Sequence, residues 1–347
     1  MIAFVTGAPG FIGFHLVRKL LSLGWQVRCL IRNAGERGAL IAELGAGFPD
    51  NLEVIDGDLS DLDALKKGVD GADVVYHLAG TVIAVDKIGY FRTNFDGTVN
   101  LVNALVGTQT DGGGTRPPAT PPGSGAPRLV FAGSLAAGGP NPPGRPRTEG
   151  DPDQPITHYG RSKLAAEEYI LEHRESLWSA ILRPAAVYGP RDPGFVSIFR
   201  AVSRGIRVGY LGRDTELSLI YVENLVQAMM AVAETSAPSG EVYYAADPPI
   251  VTVDAFQKAI ATVLGKRTLR LPLPRVLVLL AALVATGVQR ITRKPSFFNL
   301  QKVKEAVQPA WSCSAAKLRK ATGATPEVDF QSGIRRTVAD YRRTGVL

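Results

Sequence analysis

The sequence predicts an α/β protein built on a doubly wound parallel sheet, and three observations carry that expectation. Short apolar runs, among them Ile2–Thr6, Gln26–Ile31 and Arg128–Ala132, recur through the first half of the chain. Between them lie stretches whose apolar residues fall at helical spacing, such as Ile12, Leu16, Leu20 and Leu23. A glycine-rich turn, Thr6–Gly13, joins the first strand directly to the first helix. Strands that alternate with helices need crossovers, and crossovers place neighbouring strands parallel.

The elements follow in order. Ile2–Thr6 reads as a buried strand and Phe11–Leu23 as a helix, with Gly24 as its stop. Further strands are expected at Gln26–Ile31, Leu52–Ile55, Asp73–His77, Arg128–Ala132 and Trp178–Leu182. Helices are expected at Leu62–Lys67, Tyr90–Leu105 and Tyr159–His173. The stretch 107–127 is almost wholly Gly, Pro, Thr and Ser, and reads as a flexible surface loop inserted before the fifth strand. After Arg183 the pattern loosens. A short helix is expected near Val196–Ser203, a strand at Leu219–Val222, a helix at Leu225–Glu234 and a strand at Glu241–Ala245. Residues 250–347 read as mainly helical. The expected organisation is therefore a sheet domain of residues 1–184 plus about 218–246, with a smaller, mainly helical C-terminal substrate lobe of about 185–217 plus 247–347.

Composition narrows the class. The chain has 347 residues, 45% of them hydrophobic, which suits a globular protein of one large domain with a lobe. Its two cysteines, Cys29 and Cys313, give neither a metal spacing nor a disulfide framework, so a reducing, cytoplasmic setting is expected. Ile2–Val5 has no basic segment before it, so no secretory leader is expected. The net charge of +7 is uneven: residues 266–347 hold 16 Lys and Arg against 4 Asp and Glu. A basic C-terminal region suits either a solvated surface or an anionic partner, such as a phosphorylated ligand or a membrane surface. No nucleic-acid motif accompanies it.

The glycine turn carries the first functional expectation. Gly7 permits the tight turn, Gly10 lets the backbone approach a pyrophosphate, and Gly13 allows the helix to pack closely on the sheet. The N–H groups of Phe11 and Ile12 then sit at a helix start, where the dipole favours phosphate. An acidic residue usually ends the second strand where the ribose hydroxyls of NAD are held. Here that strand ends Ile31-Arg32, and a guanidinium suits a 2′-phosphate, so NADP is favoured over NAD. Asp58 and Leu59, after the third strand, are candidates for the adenine side. The turn Leu78-Ala79-Gly80, after the fourth, would run beneath the cofactor. His77 reads as a packed strand end.

Tyr159 and Lys163 are four apart, which stacks them on one helix face. A phenol near pKa 10 is a poor base at neutral pH, and a neighbouring ammonium with a cationic nicotinamide would favour its phenolate. Lowering that pKa to about 7 takes roughly 4 kcal/mol. Ser134, at the end of the fifth strand, supplies a hydroxyl for the same substrate oxygen. Tyr159 then suits proton exchange with an alcohol or carbonyl.

Taken together, these residues resemble the extended short-chain dehydrogenases/reductases, also called the NAD-dependent epimerase/dehydratase family, from Met1 to about Asp247. The resemblance implies a Rossmann-type sheet, a nicotinamide cofactor, and a catalytic set on Ser134, Tyr159 and Lys163. It adds Asn94, within Asn94-Phe-Asp-Gly-Thr98, as a supporting catalytic residue. It also adds Pro184 and Val187, within Leu182–Pro190, at the nicotinamide end. It implies a homodimer through the helices Tyr90–Leu105 and Tyr159–His173. Nucleotide-sugar epimerases of the family carry an asparagine where this chain has Ala186, and an arginine where it has Leu217. The 4,6-dehydratases carry an acidic pair where this chain has Leu135-Ala136. Tyr221-Val-Glu-Asn224 and the arginine at position 32 are closer to the 3β-hydroxysteroid dehydrogenase and dihydroflavonol reductase branch.

The leading expectation is an NAD(P)-dependent oxidoreductase interconverting a secondary alcohol and a ketone on a small, apolar, steroid-like, lipid-like or flavonoid-like substrate. A nucleotide-sugar epimerase or dehydratase acting through a keto intermediate is the alternative, and a non-catalytic NADP-binding scaffold the third. One segment stands apart. Val276–Val288 is almost continuously apolar and is flanked by Arg275, Arg290, Arg293 and Lys294. It is too short to span a bilayer, which takes about 20 residues. It suits a buried helix of the substrate lobe, a cover for an apolar pocket, or a peripheral membrane contact through 275–294.

Overall fold

The computed structural model describes residues 1–45, 50–110, 126–210, 214–273, 275–296 and 298–347. In chain order its strands are β1 (Ile2–Thr6), β2 (Gln26–Ile31), β3 (Leu52–Asp56), β4 (Val74–His77), β5 (Arg128–Ala132), β6 (Ser179–Pro184), β7 (Ala186–Tyr188), β8 (Ile206–Tyr210), β9 (Glu216–Tyr221), β10 (Glu241–Ala245), β11 (Asp247–Thr252), β12 (Leu269–Leu273) and β13 (Ala310–Trp311). Seven of them form one sheet in the order β10-β6-β5-β4-β1-β2-β3, parallel throughout. Strand order reverses beside β1, and the carboxyl ends of β1 and β4 open there, where a ligand crevice forms in such sheets.

Alternation along the strands accounts for the layers. In β1, Ala3 and Val5 face one side with Val27, Cys29 and Ile31, under the helices Phe11–Ser22 and Val222–Glu234. Phe4 faces the other side with Leu30, Val75, Leu129 and Phe131, under Leu62–Val69, Gly97–Thr110 and His158–Glu172. Successive side chains of a strand point to opposite faces, so each buried strand feeds both cores. Cys29 is fully buried, and burial pushes its thiol pKa up, away from reactivity. A third core, with Tyr188, Phe199, Phe256, Ile334 and Tyr341, lies among Val196–Ser203, Val253–Leu264 and Phe330–Arg343.

Several expected boundaries shift. A helix at Ala34–Leu44 fills the gap between β2 and β3; it buries Leu40 alone, so its periodicity is faint. Expected loop 107–127 begins instead as helix, which runs to Thr110, and residues 111–125 lie outside the described residues. The expected helix Tyr90–Leu105 is in three pieces: Lys87–Phe91, a π turn at Arg92–Asp96, and Gly97–Thr110. β9, expected with the large sheet, pairs instead with β7, β11 and β13 in a second sheet. The helix that follows it, Val222–Glu234, returns the chain to the large sheet at β10. The region after 250 holds helices with the short strands β11, β12 and β13 among them.

Candidate active site

The glycine turn is close-packed backbone. Gly7 has φ +77°, and a Cβ on it would stand 2.6 Å from the Ala79 nitrogen. A Cβ on Gly13 would stand 2.1 Å from the Gly7 carbonyl oxygen, so the helix can approach the turn only without a side chain there. The helix Phe11–Ser22 starts at Gly10 with no side-chain cap, which leaves its first N–H groups for a ligand. Gly10, Phe11, Ile12 and Gly13 line a cavity of about 890 Å³ together with Leu78, Gly80, Lys163, Pro184 and Val187. Bare N–H groups, a glycine cradle and a cavity of this size fit a dinucleotide pyrophosphate.

Behind that floor runs a chain of hydrogen bonds. The Thr6 hydroxyl accepts from the Ala79 N–H at 3.2 Å and meets His77 Nδ1 at 2.7 Å. His77 Nε2 meets the Thr98 hydroxyl at 2.9 Å, and that hydroxyl donates to the Asn94 carbonyl at 2.7 Å. Since Thr98 spends its proton on Asn94, the ring carries its hydrogen on Nε2, and Thr6 donates to Nδ1. Burial, helped by the Lys163 ammonium, depresses the His77 pKa to about 3, so the ring is neutral. His77 is the packed strand end expected.

The helix His158–Glu172, which carries Tyr159 and Lys163, is capped by Thr157, whose hydroxyl oxygen accepts from the Gly160 N–H at 3.2 Å. Gly160 lets it press on the short helix Leu135–Gly138, since a Cβ there would meet the Ala136 oxygen at 2.3 Å. That short helix is capped by Ser134, which accepts from the Ala136 N–H at 3.1 Å and keeps its own proton to donate. Ser134 and Tyr159 are thereby brought together, and the serine hydroxyl interacts with the phenol.

The electrostatics depart from expectation. Burial pushes the Tyr159 phenol up to about 12, against the pull of Ser134. The expectation for Lys163 is a nearby ammonium that, with a cationic nicotinamide, favours the phenolate. Its Nζ donates instead to the Ala132 carbonyl at 2.7 Å and lies 4.6 Å from the Phe131 ring centre. Burial lowers the Lys163 pKa to about 8, opposed by Glu167. A Cβ on Gly80 would lie 3.2 Å from that Nζ and 3.0 Å from Asn94 Oδ1, so the lysine and Asn94 flank the turn after β4. Asn94 is buried in the π turn; it accepts from the Thr81 N–H at 2.7 Å and donates to the Thr81 carbonyl at 3.0 Å and the Ser162 hydroxyl at 2.9 Å. It ties the turn to the helix His158–Glu172 and is not among the residues lining the cavity.

The adenine-side candidates lie apart from the cavity lining. Arg32 is 68% exposed in its side chain and pairs with Glu36 at 2.5 Å. Asp58 is exposed and accepts from the Ser60 N–H and hydroxyl, which holds its carboxyl below the usual range. Leu59 packs on Gly97, and Ala79 contributes its backbone under Gly7.

Three groups near the site escaped the sequence reading. Glu167 continues the Tyr159–Lys163 face by one more turn, a signal the spacing did carry. Lys302 lies with its Nζ 5.8 Å from the Tyr159 ring centre, paired to Glu305 at 2.8 Å, and Glu305 accepts from Thr157 at 3.2 Å. No local pattern foretells contacts across more than 140 residues. A second cavity of about 440 Å³ opens beside Tyr159 and Ser134, walled by Leu135, Ala186, Ile198, Val208, Leu217 and Trp311.

The chain matches the NAD dependent epimerase/dehydratase family over residues 3–246 and belongs to it. It is thus an enzyme of the extended short-chain dehydrogenase/reductase type, in a group that includes reductases and dehydrogenases. It is 28% identical to a ceramide reductase of Caulobacter vibrioides, over 100% of this chain and 96% of that one. It is 28% identical to a 3 beta-hydroxysteroid dehydrogenase/Delta 5-->4-isomerase of Mycobacterium tuberculosis, over 76% of this chain and 69% of that one. A UDP-glucose 4-epimerase from Thermus thermophilus, solved with NAD, superposes with a TM-score of 0.73 at 26% identity, covering 99% of each chain.

Proposed function

We propose that the protein reduces a ketone on an apolar, lipid-like substrate, or oxidises the matching secondary alcohol, with NADP favoured over NAD. One observation carries the choice of substrate. Ala186, Leu217 and Leu135 stand where the sugar-nucleotide branches of the family carry an asparagine, an arginine and an acidic pair. All three line the cavity beside Tyr159, so apolar side chains stand at those three places, while Arg270 and Lys302 supply the cations of the same lining. The ceramide and steroid relatives, named for lipid substrates, support the same reading.

Gly7, Gly10 and Gly13 with the N–H groups of Phe11 and Ile12 would hold the pyrophosphate, and Arg32 the 2′-phosphate once released from Glu36. When bound, the reduced nicotinamide supplies the hydride for the carbonyl carbon. Tyr159 gives its phenolic proton to the carbonyl oxygen, and Ser134 donates a hydrogen bond to that oxygen as its charge grows. Burial holds the phenol near 12, so Tyr159 carries its proton at neutral pH. Lys163 contributes positive charge beside the cofactor site, and Asn94 fixes the turn after β4 that borders it. A homodimer through Gly97–Thr110 and His158–Glu172 belongs to the same proposal, and sedimentation velocity reads it.

The test is a substrate panel with NADPH and NADH. Long-chain and steroidal ketones are expected to turn over, and UDP-glucose to give neither turnover nor a thermal shift. Epimerisation of a UDP-sugar, or no turnover on any ketone, would overturn the reading.

A further inference from the structure

The helix Arg275–Thr292 turns its apolar side outward. Val276, Leu280, Leu283 or Val284, Val288 and Ile291 recur at three and four apart and share one face; Leu280, Val284 and Ile291 are 54%, 66% and 84% exposed. The opposite face is narrow. Val278 and Ala282 pack on Val303, and Gln289 is buried, donating to the Ala84 and Val85 carbonyls at 2.9 and 3.0 Å. The helix is therefore anchored, and its exposed aliphatic stripe is not a loose end. β12 precedes it with Leu269 and Leu271 exposed as well.

Charge identifies the occupant. Lys266, Arg267 and Arg270 are exposed where the chain enters β12, and Arg270 also lines the cavity beside Tyr159. Arg290, Arg293 and Lys294 are exposed where the helix ends, and none of these six forms an ion pair among the described residues. The helix carries no acidic residue. An aliphatic face flanked by unpaired cations complements an anionic lipid bilayer, with the helix lying in the plane of the headgroups. No helix among the described residues is long and apolar enough to cross a membrane.

We infer that this face docks the protein on anionic membranes and delivers the substrate cavity to them. Val278, on the inner side of the helix, and Phe298, just beyond it, line the cavity that holds Tyr159 and Lys163. One element thus forms both the cavity wall and the outer apolar face, and a lipid ketone reaches Tyr159 from the bilayer along it. The delivery step rests on the proposed reduction; the docking is read without turnover.

The experiment is co-sedimentation of the full chain with vesicles of phosphatidylcholine, with and without phosphatidylglycerol. The wild type is expected to pellet with the anionic vesicles, and binding to fall by about ten-fold or more on pure phosphatidylcholine and in the Leu280→Glu/Val284→Glu variant. Both positions are exposed, so the variant is expected to keep its Tm and its turnover of a short, soluble ketone. Arg290→Glu/Arg293→Glu is expected to remove the preference for anionic lipid. A wild type that stays in the supernatant overturns the inference. So does a double glutamate variant that pellets equally, or an apolar face that instead closes a soluble dimer which the variant splits. Vesicle binding without any ketone turnover would count against the proposed reaction and leave the docking intact.

Discussion

Arg183 grips Glu167 through Nε at 2.8 Å and Nη2 at 2.6 Å, directly behind the turn that carries Ser134. The same guanidinium holds Asp153 at 2.6 and 2.7 Å. Burial pushes the Glu167 carboxyl up to about 7, with Arg183 pulling it back, and its Oε1 presses so close to Gly133 that a Cβ there would stand 2.3 Å away. Arg183→Gln leaves two carboxylates, one wholly buried, without their cation. Removing one partner of a buried pair costs about 3–5 kcal/mol. Urea unfolding is expected to report a loss of that size; a change below about 1 kcal/mol would mean the cluster is dispensable.

Tyr159→Phe removes the proposed proton donor and nothing else of size. Turnover of any accepted ketone is expected to fall by about 10²–10⁴-fold, with cofactor affinity and Tm kept. Single-turnover kinetics separate the proton step from binding. Retained turnover would move the acid elsewhere, and Lys302 would be the next group to examine.

Arg32→Ala tests the cofactor. A charge-assisted contact to a phosphate contributes about 1.5–3 kcal/mol, or roughly 10- to 100-fold in affinity. NADPH binding, measured by calorimetry, is expected to weaken by that factor while NADH binding holds. Equal weakening of both would place Arg32 outside any role in selecting the 2′-phosphate.

His77 gives a pH dependence whose sign is set. Its pKa is about 3 in the fold against 6.5 in an unfolded chain, so the unfolded state takes up protons first as pH falls. The stability it contributes is complete above 6.5 and is lost progressively as pH drops toward 3. Between pH 7 and 5 the wild type is expected to lose about 2 kcal/mol more than His77→Gln in urea unfolding. Parallel pH profiles for the two proteins would refute the buried neutral ring.

Much of the sheet could be read from the chain because its cues are local. β1, β2, β5 and β10 have the expected bounds, since each is a short, largely apolar run. The glycine turn, Ser134, Tyr159 and Lys163 were legible for the same reason: a spacing of four, or a strand meeting glycine, is a neighbourhood property. The direction of Lys163 was not, because the Ala132 carbonyl that accepts its hydrogen bond lies 31 residues away. β7 and β13 are three and two residues long and have no periodicity to detect. Lys302 and Glu305 reach Tyr159 and Thr157 only through tertiary packing, and no window of sequence contains both partners.

The π turn at Arg92–Asp96 has a consequence for how this helix tolerates change in length. A π turn holds one residue more than the regular coil, and each residue of an α-helix advances about 100°. Deleting a single residue between 92 and 96 would leave an uninterrupted helix that still buries Leu101, Val102 and Leu105. The flanking segments would keep their faces, because the widened turn had absorbed the extra residue, but the residues left between 92 and 96 would be re-aimed and the carboxamide of Asn94 would leave Thr81. Most one-residue deletions threaten a helix; this one would mend it and unfasten the turn after β4.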